Sequence, residues 1–239
     1  MTYQALILGA GITTNSHESK FQKSRFLADG VKSLLEFSAS SFHSASNLIV
    51  SLNPEDFKYF SGEPLDSTIK LISILHPTQG ALATAGMCLD LLVHDTPIIV
   101  AAIDGVCSKS IDGFYNAMSE SNADGGVIVF PSNNLNYCYV RVSKDSPIEF
   151  AEKRKIGEFA SAGIYYFKNK KLLEDSILWA ILNQVKLNNL FYFSSVMNKL
   201  VFENREIMLF KIIEEEYFRF ATEKEAFASR KRFLGSCNG

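Results

Sequence analysis

Asp104 stands at the end of an apolar run, in "VAAIDGV" (100–106), with a glycine directly after it. A carboxylate there is well placed to hold Mg2+ against phosphates. Asp-Gly is also an ordinary turn pair. A second candidate is Gly9-Ala10-Gly11, which closes the apolar run "ALIL" (5–8). Backbone amides at a glycine turn ahead of a helix can hold phosphate oxygens. The stretch fits neither G-x-G-x-x-G nor the P-loop pattern, and reads equally well as a tight turn. A phosphate loop should supply a cation promptly, but the polar stretch "ITTNSHESKFQK" (12–23) comes before Ser24-Arg25-Phe26. Arg25 and Lys32 are the cations downstream, and each taken singly is more often a solvated helix residue.

Three further places carry polar groups at the ends of apolar runs. In "HPTQGALATAG" (76–86), Gln79 offers both a donor and an acceptor, as recognition of a base requires. Gly80 opens a helix whose small residues let a ring approach, or let the helix pack closely on a sheet. Glu152 and Lys153 end "IEFAEK" (148–153); the lysine suits a phosphate, while "EKRK" also reads as a solvated charge run. Gly163, inside "SAGIYYF" (161–167), implies close approach by a ligand or by another backbone. His17, His43, His76 and His94 show no metal spacing, no C-x-x-C pair occurs, and no Ser/His/Asp or Cys/His order is visible.

The elements that must position these groups follow from the apolar periodicity. "YQALIL" (3–8), "NLIVSL" (47–52), "KLISIL" (70–75) and "PIIVAA" (97–102) are continuously apolar, as strands covered on both faces are. Helical spacing is read over 24–42, 80–94 and 108–121. This alternation predicts α/β architecture with a mainly parallel sheet. Short segments at 125–130, 138–142, 148–153 and 161–167 then follow closely, which favours antiparallel pairing. Helices at 170–185, 190–203 and 222–232, with a strand at 206–212, complete one mixed-sheet domain over 1–239. In open α/β sheets ligands bind beyond the carboxyl ends of the strands, which is where Gly9, Gln79 and Asp104 fall.

With 239 residues, 47% of them hydrophobic and a net charge of −2, the chain reads as an ordinary globular protein. There is no general electrostatic case for nucleic acid or an anionic membrane. No apolar run approaches the roughly 18 residues of a membrane helix, so cytoplasmic location and four free thiols (Cys88, Cys107, Cys138, Cys237) are expected.

Taken in order, "LILGAG", "SRF…GVKSLLEF", "TQGALATAG", "PIIVAAIDGV", "DGGVIVF", "IEFAEKRKIGEFASAGIYYF" and "NNLFYFSSVMNKLV" resemble the sugar-phosphate nucleotidyltransferase family, particularly its small bacterial members of capsule and surface-polysaccharide synthesis. The likeness runs from about residue 3 to about residue 226. It implies a Rossmann-like mixed sheet of the GT-A type, with a nucleotide-binding half at about 1–125 and an acceptor-binding half at about 126–226. The implied reaction joins a nucleoside triphosphate (CTP in the first instance) to a sugar phosphate or similar phosphorylated molecule, releasing pyrophosphate. It implies Gly9, Ala10 and Gly11 as the nucleotide loop, Arg25 and Lys32 as its cations, and Gln79 and Gly80 at the base. Asp104 would carry Mg2+. Glu152 and Lys153 would contact the second substrate, and Gly163 would give it space. The resemblance is also compatible with a homo-oligomer.

The sequence departs from that family in three places. Residues 12–23 interrupt the signature, Val31 replaces a proline before Lys32, and "YFRFATEKEA" (217–226) puts Arg219 and Ala221 where an acid and a glycine are expected. Two alternatives follow: a catalytically degenerate nucleotide or nucleotide-sugar binder acting through a protein partner, with "SRKRFLGSCNG" (229–239) as a docking tail, or a GT-A glycosyltransferase. The latter usually carries D-x-D, which "IDG" (103–105) is not.

Overall fold

A computed structural model describes residues 2–11, 21–108 and 111–236. Among the described residues the chain forms eleven strands and seven α-helices. The strands are β1 (Tyr3–Gly9), β2 (Ala45–Leu52), β3 (Ile69–Ser73), β4 (Ile98–Ala102), β5 (Gly105–Cys107), β6 (Gly125–Pro131), β7 (Cys138–Ser143), β8 (Ser146–Glu152), β9 (Phe159–Phe167), β10 (Ile207–Lys211) and β11 (Tyr217–Arg219). The helices are α1 (Leu34–Ala39), α2 (Pro54–Phe60), α3 (Ala81–Met87), α4 (Ile111–Glu120), α5 (Lys170–Leu182), α6 (Phe193–Phe202) and α7 (Glu223–Ser236).

The large sheet runs β10-β6-β9-β4-β1-β2-β3, with β7 and β8 attached beside β9. Strands β1 to β4 are mutually parallel, and β9 reverses direction between β4 and β6. The continuous apolarity of β1, β2 and β4 is explained by two cores. Ile7, Val50 and Ile99 face one side, under Leu34, Leu35, Phe114 and Met118. Leu6, Ile49 and Val100 face the other, under Leu82, Ile177 and Met197. Successive strand residues point to opposite faces, so a strand covered twice has no polar alternation to show.

Local chemistry sets the helix starts. Ser33 and Glu36 form a reciprocal capping box at α1, and Asn53 accepts from Asp56 N–H with Pro54 in the first turn of α2. The helix expected over 24–42 is confined to its second part. Lys23–Arg25 is a single 3-10 turn, and a bridge between Leu27 and Ser33 closes a bend with Gly30 at φ 90°. Left-handed backbone at Gly30 ends any continuous helix there.

Strand β5 pairs antiparallel with β11, forming a small second sheet. Helix α7 packs over it. Phe227 meets Phe26 edge-on at 5.3 Å, Phe233 meets Phe37 at 4.9 Å and Phe218 at 5.5 Å, and Arg232 donates to the carbonyl of Tyr217. The segment 229–236 is thus built into the fold, in contrast to the docking tail expected there; residues 237–239, with Cys237, lie outside the described residues. Cys88, Cys107 and Cys138 are free and buried. Among the described residues, no helix is long and apolar enough to cross a membrane.

Candidate active site

A cavity of ≈ 250 Å³ opens at the carboxyl ends of β1 and β4. Leu8 and Ala102 form its floor, Asp104, Glu152 and Arg219 give it charge, and Tyr137, Tyr192 and Tyr217 line its walls. Strand β4 ends because Ile103 turns inward: its N–H donates to the Leu8 carbonyl at 3.1 Å, and its side chain is buried. A Cβ at Gly9 would lie 3.1 Å from Ile103 Cδ1 and 3.0 Å from the Ser51 carbonyl. The glycine therefore serves this close packing. The chain then turns at Asp104 into β5, where a Cβ at Gly105 would strike the Ala162 carbonyl at 2.8 Å. The Asp104 carbonyl accepts from Phe220 N–H at 2.8 Å, tying the turn to the end of β11.

The carboxylate of Asp104 is engaged. Lys23 Nζ donates to its Oδ2 at 2.7 Å. Burial pushes the Asp104 carboxyl up, but the charge and hydrogen bond of Lys23, with Arg219 nearby, bring it below the ordinary carboxylate range. Lys23 reaches this point because its neighbours are pinned to α2. Ser24 donates to Asp56 Oδ2, Arg25 Nε donates to Asp56 Oδ1 at 2.8 Å, and the Arg25 guanidinium lies 4.4 Å from the centre of the Tyr59 ring. Arg25 is thus a clamp on the turn, and Lys23, inside the stretch read as an insertion, is the cation paired with Asp104.

Arg219 enters from β11. Its guanidinium lies over the Tyr137 ring at 4.8 Å, and its Nε is 3.5 Å from Glu225 Oε1. Its Nη1 is buried with no hydrogen-bond partner. Ser229 Oγ of α7 donates to the Arg219 carbonyl at 2.6 Å and fixes the strand beneath it. Glu152, at the end of β8, faces the same cavity. Burial pushes its carboxyl up to about 7, although the charges of Lys153 and Arg219 pull the other way.

The remaining expected residues divide by location. Lys153 is exposed at the rim, with φ 54° and its ammonium 5.7 Å from the centre of the Tyr192 ring. Gly163 lines the cavity with φ +74°, at an irregularity in the β6–β9 register, and its N–H donates to Ser161 Oγ at 3.0 Å. The bend of β9 demands glycine there on conformational grounds alone. Gly80 has φ +100°, and a Cβ on it would lie 2.5 Å from the Phe191 carbonyl. The neighbouring Gln79 is exposed, and Ala81 rather than Gln79 lines the cavity. Ala10 is buried and Gly11 stands in open space; the residues that continue this loop, 12–20, lie outside the described residues.

Lys32 is not brought to the site. It is exposed and lines a groove with Ala45, Leu48, Asp66 and Thr68, at the amino ends of β2 and β3. The bend closed by Leu27 and Ser33 holds it there, with the Lys32 carbonyl accepting from Ala28 N–H at 2.9 Å.

The pocket does not fit a resident Mg2+ on Asp104. Its carboxylate is paired with Lys23, Arg219 lies nearby, and among the described residues no three His, Cys, Asp or Glu side chains gather as ligands. Glu214–Glu216 form a short turn before β11 and do not line the cavity.

The mixed α/β sheet is a Rossmann-like fold, shared with several solved structures. The chain is similar to the nucleoside-diphosphate-sugar pyrophosphorylase of Vibrio cholerae RC9, with a TM-score of 0.77 and 18% identity over 95% of this chain and 100% of that one. A Bacillus anthracis protein assigned as a glucose-1-phosphate thymidylyltransferase, solved with a sucrose, aligns with a TM-score of 0.79 and 12% identity over 98% and 96% of the two chains. HddC of Yersinia pseudotuberculosis, complexed with GMP-PN, aligns with a TM-score of 0.70 and 17% identity over 97% and 100%. No protein-family model matches the sequence, and no curated protein matches it.

Proposed function

We propose that the protein transfers a nucleotidyl group from a nucleoside triphosphate to a sugar phosphate or similar phosphorylated molecule, releasing pyrophosphate. The observation that carries this reading is that Asp104, paired with Lys23, lines one cavity at the carboxyl ends of β1 and β4 together with Arg219 and Glu152. Phosphoryl transfer needs little covalent help from a protein; it needs positioning and neutralised charge. Lys23 and Arg219 face the phosphates, and Asp104 orients Lys23. Glu152 accepts or donates at a sugar hydroxyl, Lys153 meets the acceptor phosphate at the rim, and the aromatic walls bound the sugar. The nucleotide half is formed by β1 to β4 and the acceptor half by β6 to β9. Mg2+ enters as the counter-ion of the triphosphate substrate. The resemblance to capsule-associated proteins makes CTP the first nucleotide to try, surface polysaccharide the destination of the product, and the cytoplasm the setting.

A second reading, a binder of nucleotide-sugars that performs no transfer and acts through a protein partner, is favoured by one feature. Two cations expected at the triphosphate are elsewhere, with Arg25 held by Asp56 and Lys32 at the amino edge. Thermal unfolding with CTP, UTP, dTTP, ATP and GTP, each alone and with a panel of sugar 1-phosphates, separates the two. A ligand that binds only the native state raises apparent stability with its saturation. The transferase reading expects one triphosphate and one sugar phosphate each to raise Tm. A rise with finished nucleotide-sugars alone would favour the binder.

A further inference from the structure

We infer that phosphate charge in this cavity is neutralised by Lys23 and Arg219 with no protein-held divalent cation, so that a pyrophosphate group binds equally well without metal. The inference deepens the transferase reading and rests on it for the position of the phosphates. A metal ion on Asp104 would sit beside the Lys23 ammonium, which holds Oδ2 at 2.7 Å, and would have Arg219 as a further cationic neighbour. Like charges so placed repel. The arrangement suits an anion instead. Arg219 Nη1 is buried without a partner, which leaves it carrying the desolvation cost of an unmade hydrogen bond. Arg219 lines the cavity, and its guanidinium fork matches phosphate geometry. Stacking on Tyr137 and the proximity of Glu225 hold the fork in place. Lys23 uses one ammonium proton on Asp104 and retains others for a second oxygen. The position at which an acid was expected thus holds the anion's partner.

The test is isothermal titration of inorganic pyrophosphate into the protein, once in EDTA and once in MgCl2, with Mn2+ electron paramagnetic resonance as a direct probe of metal binding. The expected affinities agree within about threefold, and Mn2+ alone finds no tight site. Arg219→Gln is expected to weaken pyrophosphate by about tenfold or more, as loss of a charge-assisted hydrogen bond does. Lys23→Met provides an independent reduction should Arg219→Gln fail to fold, as judged by circular dichroism. Binding that requires Mg2+, a Mn2+ site abolished by Asp104→Asn, or no pyrophosphate binding in either buffer would overturn the inference. Failure of nucleotidyl transfer with metal-free binding intact would instead sink the transferase reading and leave this inference standing.

Discussion

Replacing Glu152 with glutamine should stabilise the protein in alkaline solution and do much less in acid. The folded carboxyl titrates near 7 against an ordinary value of 4.5, because burial disfavours its charged form. Between those two values the unfolded chain has released the proton and the native protein still holds it. Stability therefore falls as pH rises through this window. At about 1.4 kcal/mol per pH unit between the two values, the full cost of ionising Glu152 is about 3.5 kcal/mol. From pH 5 to pH 8 the loss is about 2.5 kcal/mol if the site stays rigid, and about half of that if water enters. Glutamine keeps the shape and abolishes the titration. The difference in Tm between Glu152→Gln and the parent protein should thus widen by about 3–10 °C from pH 5 to pH 8, given about 2–4 °C per kcal/mol at this chain length. Differential scanning fluorimetry across that range measures it. A constant difference, or one that shrinks with rising pH, would refute the argument that Glu152 is desolvated in the cavity.

Other substitutions test separate parts of the account. Gly80→Ala puts a Cβ 2.5 Å from the Phe191 carbonyl at a left-handed residue, and chemical denaturation should show a loss of about 2–4 kcal/mol. Asp56→Ala frees both Ser24 and Arg25; stability should fall by about 1–3 kcal/mol, and pyrophosphate affinity should fall with it because Lys23 loses its support. Phe233→Ala removes the ring packed between Phe37 and Phe218 and should cost about 1–3 kcal/mol, since that ring is only partly buried. Lys32→Ala should leave nucleotide and pyrophosphate affinity within error of the parent, and any clear loss would return Lys32 to the site.

The main strands were legible because each is a short apolar run covered on both faces, and Asp104 could be found at the end of β4 from that pattern alone. Glu152 and Gly163 were reachable the same way, from the ends and interruptions of β8 and β9. Arg219 was noticed only as a departure, since its place at the cavity depends on pairing between β5 and β11, two three-residue strands far apart in the chain. Runs that short carry no periodicity of their own. Lys23 was hidden inside a polar stretch, and what brings it to Asp104 is the capture of Ser24 and Arg25 by Asp56 on another element. The "KSR" cluster was the available clue: neighbouring cations in a tight turn cannot all face the same way. Lys32 was assigned to the nucleotide loop from the resemblance; beyond the left-handed bend at Gly30 it lines a separate groove.

The claim that this cavity performs nucleotidyl transfer is tested most directly by following pyrophosphate release from each nucleoside triphosphate with a panel of sugar 1-phosphates. The account predicts release that requires both substrates and falls at least about tenfold in Arg219→Gln and Lys23→Met. No release from any pair, by folded protein that still binds a nucleotide-sugar, would contradict it.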